Sequence, residues 1–213
     1  FSTLILVATP MALTACRSAP ESLLLDVGGK TTDLIWSRSG QPVAINSLPI
    51  GGEAVTNSLL RRWDLSLDKA EQLKRAYSGG ELADEARAQV RLSVAPSLEA
   101  WLEATETTLA QLQESAEKPL PDSIYLLGGG SALPDFVETS CALAWSRRLT
   151  FTRYPQIGRL RAQDVGGVVN RTELGQELGD TPALALAAWA AALTRAPDRP
   201  ARVLSELCEV QRA

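Results

Sequence analysis

The sequence contains no histidine. That removes imidazole from every catalytic and metal-binding scheme, which excludes a Ser-His-Asp triad and a His-ligated zinc site. Cysteine is scarce: Cys16, Cys141 and Cys208 are an odd number without CxxC spacing. A disulfide framework is not expected, and reduced cysteines in a cytoplasmic interior are the ordinary reading. An excess of basic residues is missing as well. The 21 Lys and Arg against 25 Asp and Glu leave a net charge of -4, which argues against nucleic acid as the main partner because phosphate binding wants a basic face. No internal repeat or low-complexity tract stands out.

What is present is ordinary for a globular protein. The 213 residues are 45% hydrophobic and 22% charged, enough for one compact domain with a sizeable core. The chain opens with Phe1 rather than methionine, so a fragment is expected. The apolar run Leu4–Leu13 ends in Leu13-Thr14-Ala15-Cys16, which matches a bacterial lipoprotein cleavage box and would imply an exported, lipid-anchored protein. Against that reading, no positively charged stretch precedes the run, Pro10 interrupts it, and it is too short to span a bilayer. A core strand over Leu4–Ala8, followed by a helix starting at Pro10, is the preferred reading.

Along the chain, Ser22–Val27 is a short apolar run ending in a glycine turn, as expected of a buried strand. Thr32–Ser37 and Pro42–Leu48 are further strands, joined by the hairpin residues Arg38-Ser39-Gly40-Gln41. From Gly51 the pattern turns helical, breaks at Asp64–Ser66, resumes, and stops at Ser78-Gly79-Gly80. Glu81–Glu117 reads as one long helix or two in series, with Pro96 as the expected break. Ser123–Leu127 is a buried strand and Leu133–Trp145 a helix, with a strand over Leu149–Arg153. Tyr154–Asp180 gives no assignment. Pro182–Thr194 and Ala201–Gln211 read as helices. Strands, a helical block, then strand, helix, strand and helix predict an α/β domain with helices on a mixed sheet.

Three constellations carry chemistry. The first, Asp26-Val27-Gly28-Gly29-Lys30-Thr31-Thr32-Asp33, joins two strands. Such a glycine-rich hairpin exposes backbone N–H groups that can cradle phosphate oxygens, with Thr31 and Thr32 adding hydroxyls and Lys30 a charge. Asp26, at the end of a buried strand, suits a hydrated magnesium ion, which prefers oxygen ligands. A plain hairpin turn explains the same residues equally well. The second, Gly128-Gly129-Gly130-Ser131, lies between a strand and a helix, where glycines admit a ligand close to the backbone. A helix start with Ser131 as N-cap needs no ligand. The third, Glu71, Lys74 and Arg75, places Glu71 and Lys74 on one helix face, where a solvated ion pair is the simpler reading.

Together these segments resemble a known family. Residues 26–33 resemble the second phosphate loop, and Ile124-Tyr125-Leu126-Leu127-Gly128-Gly129-Gly130-Ser131 the adenosine loop, of the actin, Hsp70 and sugar kinase superfamily. The residues from Leu48 to Asn57 (LPIGGEAVTN) and from Leu67 to Lys74 (LDKAEQLK) look most like FtsA, with PilM close behind. The resemblance covers about residues 1–195.

It implies an actin-like, ribonuclease H-like lobe: a five-stranded mixed sheet with flanking helices and an inserted helical subdomain at about 49–118. Residues 1–20 would be the end of an N-terminal lobe and its connecting helix, 21–195 the C-terminal lobe, and 196–213 a C-terminal helix. The cofactors implied are ATP and Mg2+. Asp26 would reach the metal through water, and Gly28, Gly29, Lys30, Thr31 and Thr32 would hold the phosphates. Glu71, Lys74, Gly128, Gly129, Gly130 and Ser131 would hold the adenosine. The implied function is assembly at the inner face of the cytoplasmic membrane, linking a tubulin-like division ring protein to it, with self-association into filaments and no nucleic acid. A PilM-like pilus scaffold and a pseudo-ATPase interaction module are the alternatives. Two departures stand out: Lys30 occupies the usual place of a third glycine, and Thr9 that of a common acidic residue. With one lobe and one phosphate loop, the chain alone is expected to lack ATPase turnover.

Overall fold

A computed structural model describes residues 21–39, 41–141, 145–164 and 178–195. The expectations for residues 1–20, including Thr9 and Cys16, and for 196–213, including Cys208, fall outside the described residues.

The sheet has five strands in the order β3-β2-β1-β4-β5: β1 Glu21–Val27, β2 Thr32–Arg38, β3 Gln41–Leu48, β4 Ser123–Leu127 and β5 Gln156–Arg159. Strand β1 is central, antiparallel to β2 and parallel to β4, and β5 continues the parallel half. Its centrality explains the unbroken apolar run, because a strand covered on both faces has no solvent side to alternate with. Leu23, Leu25 and Val27 face one layer with Leu34, Trp36, Ile124 and Leu126. Leu24 faces the other with Ile35, Leu127 and Leu160.

The first face is covered by helices. These are α1 Gly52–Trp63, α2 Leu67–Ser78, α3 Asp84–Ala116 and α4 Pro134–Cys141; α5 Thr181–Arg195 is the last helix among the described residues, and its Thr181 hydroxyl donates to the Leu160 carbonyl at 3.2 Å. Asp64, in the left-handed conformation at φ 49, closes α1 through a backbone bond to Leu60. Gly79 and Gly80 end α2.

Two expectations are corrected. Pro96 does not break α3, which runs unbroken for 33 residues. Pro96 is exposed, and Leu92, whose carbonyl loses its helical partner, has a side chain 70% exposed, so water can take that carbonyl's bond. Val90, Val94, Leu98 and Trp101 are all buried on the opposite side and hold both halves to the same core. Among the described residues the last strand is Gln156–Arg159 rather than Leu149–Arg153, where only an isolated parallel bridge joins Phe151 to Leu120. This four-residue edge strand carries one apolar side chain, Ile157, too little to form a pattern.

Trp101 ties α3 to the loop end of the sheet. Its ring meets Phe136 of α4 edge-on at 4.7 Å, and its Nε1 donates to Thr32 Oγ1 at 2.9 Å. Thr32 Oγ1 in turn donates to the Ile50 carbonyl at 2.8 Å. Trp101→Ala removes the ring and leaves the Thr32 hydroxyl short of a donor. It should cost about 3–5 kcal/mol in chemical denaturation.

Candidate functional site

The turn between β1 and β2 is held from two sides. Gly28 N–H donates to the Thr31 carbonyl at 2.9 Å and to that of Asp26 at 3.1 Å, which closes the turn on itself. From outside, the first amides of α1 seize it: Gly52 N–H donates to the Gly28 carbonyl at 2.9 Å and Glu53 N–H to that of Gly29 at 2.7 Å. A helix N-terminus has amides without intrahelical partners, and here the turn supplies the acceptors.

The contact requires Gly51. A Cβ there would stand 2.6 Å from the Gly28 oxygen and 2.7 Å from the Gly29 oxygen, closer than any side chain allows. The consequence follows from peptide planarity. A trans peptide points its carbonyl and the next N–H in opposite directions, so with both carbonyls turned to α1, the amides of Gly29 and Lys30 point away from it. No described carbonyl accepts either of them. Adjacent outward amides on a turn backed by a helix N-terminus form an anion-binding concavity.

The second turn meets the first directly. Gly128, at φ +81, lies where a Cβ would stand 2.2 Å from Asp26 Oδ1 and 2.8 Å from the Val27 oxygen. The neighbouring Gly130 approaches Gly52, whose Cβ would reach to 3.5 Å of its Cα. Gly52 thus connects three of the expected segments. Its N–H holds the first turn, its Cα faces the second, and its carbonyl accepts from Thr56 Oγ1 at 3.3 Å and from Lys74 Nζ at 3.5 Å.

Lys74 and Glu71 close the group. Lys74 Nζ donates to Glu71 Oε1 and to Thr56 Oγ1, both at 2.7 Å, and Thr56 lies 2.5 Å from Glu71 Oε1. Burial by itself would raise the Glu71 carboxyl. The bonds from Lys74 and Thr56 and the charges of Lys74 and Arg75 outweigh it and hold the group below its ordinary value.

The structure brings together Asp26, Gly28, Gly29, Gly128, Gly130 and Lys74, with Glu71 beside them. Lys30, Thr31 and Gly129 are exposed at the site's open side. Thr32 and Ser131 turn inward. The Thr32 hydroxyl is engaged by Ile50 and Trp101, and Ser131 Oγ donates to the Gly128 carbonyl at 2.7 Å. What these two give the turns is rigidity. Gly51, Gly52, Glu53 and Thr56 were given no individual role from the sequence, although the Gly51-Gly52 pair before a helix was a visible signal.

Asp26 sits at the end of β1 opposite Asp33 of β2. Burial, and then the Asp33 charge, push its carboxyl up to about 6 from an ordinary 3.8. Asp33 has a partner in Ser47 Oγ, which donates to it at 2.6 Å. Among the described residues no three or more acidic or cysteine side chains gather as a metal cage. One carboxylate of oxygen character, held at high energy beside outward amides, fits a Mg2+ ion ligated mainly by phosphate and water.

Comparisons with known proteins bear on the family and the fold. The family model for the cell division protein FtsA matches residues 23–159. No curated protein matches the chain. Among solved structures, the PilM-PilN type IV pilus biogenesis complex is similar at a TM-score of 0.62 and 22% identity, covering 87% of this chain and 51% of that one. The ethanolamine utilization protein EutJ of Carboxydothermus hydrogenoformans is similar at 0.54 and 20%, covering 84% and 53%. MreB 5 of Spiroplasma citri bound to AMPPNP is similar at 0.53 and 15%, covering 91% and 60%. The likeness is one of fold: the lobe is actin-like, as the sequence led us to expect. The chain spans about half the length of the first two of these and 60% of the third.

Three outcomes follow. Gly128→Ala forces a methyl into the Asp26 carboxylate and a strained φ, and should destabilise the fold by about 2–4 kcal/mol. Gly129→Ala, whose nearest neighbour would stand at 3.9 Å, should change unfolding by about 0.5 kcal/mol or less. For Asp26, the folded chain holds its proton more tightly than the unfolded chain, so its ionisation lowers stability as pH rises from 3.8 through about 6. Asp26→Asn should therefore stabilise the ligand-free protein by about 2–3 kcal/mol at pH 7.5, with the gain vanishing near pH 4. Urea titrations across pH would show it.

Proposed function

The chain belongs to the family of the cell division protein FtsA, and from that premise we propose that it is the nucleotide-holding C-terminal lobe of an actin-like ATPase acting in division. Proteins of this fold generally bind nucleotide together with Mg2+. The observation that carries the reading is the pair of carbonyls at Gly28 and Gly29 bound by α1, which turns the amides of Gly29 and Lys30 outward beside Asp26.

In this reading the first turn receives the β- and γ-phosphates, with Thr31 and Lys30 at its open side. Asp26 orients the water shell of the Mg2+, which supplies charge neutralisation to the phosphates. Glu71 and Lys74 exchange part of their mutual bonding for the ribose, and the backbone of 128–131 lies along the adenosine. Residues 49–118 form a helical subdomain. ATP acts chiefly by drawing two lobes together, which favours filament contacts and attachment to a tubulin-like ring at the membrane. No described helix is long and apolar enough to cross a bilayer, which suits peripheral association. The likeness to the PilM-PilN complex favours a second reading, a scaffold of type IV pilus biogenesis that uses the same site.

The test is binding of Mg-ATP to the full-length protein by calorimetry. Binding should weaken about tenfold in Lys74→Ala, as loss of one charge-assisted hydrogen bond predicts. It should also fall on acidification below pH 6, where Asp26 takes up its proton. Full-length protein with no affinity for Mg-ATP would overturn the nucleotide reading and leave an interaction module of the same fold.

A further inference from the structure

The two walls assigned to the adenosine are joined beyond the site by four polar side chains. Asp135 on α4, buried to 4% exposure, places Oδ1 3.7 Å from Arg91 Nε of α3. Arg91 Nη2 donates at 2.5 Å to Glu138 Oε2, one turn further along α4. Tyr77 of α2 is buried to the same degree, with the Asp135 carboxylate near enough to act on its phenol. Burial first, then hydrogen bonding to that carboxylate and its charge, push the phenol up from its ordinary value.

Between these residues lies a cavity of about 600 Å³, lined among others by Tyr77, Ser78, Gly79, Arg91, Pro134 and Glu138. Its position carries the inference. On α2 it opens one turn beyond Lys74, and on the other side three residues beyond Ser131. Both of its walls are therefore continuations of the elements that the proposed reading assigns to the adenosine.

The linkage is a poor way to gain stability. Asp135 Oδ2 is buried without any hydrogen-bond partner, a cost that an apolar or amide side chain would lessen. Arg91 is 61% exposed, so solvent screens most of the attraction it returns. Asp135 adjoins both walls: Tyr77 lies in the last turn of α2, and Asp135 follows Pro134 at the start of α4.

We propose that Asp135 is a positioning residue that, through Tyr77 and Arg91, sets the separation of α2 and α4 and thereby the discrimination between nucleobases. The inference rests on the nucleotide reading above. A base held between two walls is selected by fit, and a wall free to move by a few tenths of an ångström admits a bulkier edge.

The test is titration of the full-length protein with Mg-ATP and Mg-GTP, comparing wild type with Asp135→Asn and Tyr77→Phe. Wild type should prefer ATP. Both variants should lose about tenfold of that preference, through weaker ATP and not weaker GTP binding. If Asp135→Asn does not fold, Tyr77→Phe, which keeps its ring in place, decides the matter. Parallel loss of both nucleotides in step with a lower Tm would mean a merely structural role and overturn the proposal. A wild type that binds both nucleotides equally, or a preference unchanged in the variants, would also overturn it while leaving the nucleotide reading intact. A wild type that binds neither nucleotide would remove both.

Discussion

The constraint on which the rest depends is the contact of one helix end with one turn. Two amides at the start of α1 bind two carbonyls of the turn between β1 and β2, and the absence of a side chain at Gly51 allows them to come close enough. Helix, turn and strand are thereby oriented together. The bonds satisfy amides that a helix start would otherwise leave unpaired, and they set the direction in which the following peptide groups present their donors. Gly52 extends the same contact to the second glycine turn and to Lys74. The site is thus a set of backbones in contact, which few side chains could replace.

Electrostatics at this place oppose folding. Asp26 is pushed up to about 6 by burial and by Asp33 across the strand pair, while Glu53 brings its carboxylate near Gly29. A protein selected for stability alone would not crowd carboxylates around outward-facing amides. The same arrangement suits a polyphosphate with its divalent cation, in which both signs of charge arrive together. Glu71 and Lys74 show the opposite balance, a satisfied pair that holds the Glu71 carboxyl below its ordinary value. Their pair with Thr56 is satisfied within the lobe, so the groups are held in place before a ligand competes for them.

Much of this was legible in the residues. The glycine turn after Ser22–Val27, the turn after Ser123–Leu127 and the face shared by Glu71 and Lys74 rest on local rules: apolar runs for buried strands, glycine where backbones approach, three-residue spacing on a helix. Where local rules failed, tertiary packing had overridden them. Pro96 reads as a break by itself, yet buried side chains before and after it keep α3 continuous. Strand β5 has almost no apolar pattern because β4 supplies its register. Thr32 reads as a hydroxyl donor to phosphate, and Ser131 as part of the loop behind the adenosine or as a helix cap. Only packing shows that their hydroxyls are engaged inside the protein.

The sequence by itself determined the fold class, the order of the two glycine turns and the helices between them, since each depends on neighbours a few residues away. The tertiary structure alone decided what the turns do to each other: that Gly51 admits two carbonyls, that Gly128 lies against Asp26, and that Gly52 connects three segments. It also decided that Asp135 lies against Tyr77 and near Arg91, residues 58 and 44 positions earlier in the chain. Such contacts join groups far apart in sequence, and their energies depend on burial and distance. No spacing rule encodes either quantity, because both arise only once the sheet and helices have closed on a common core.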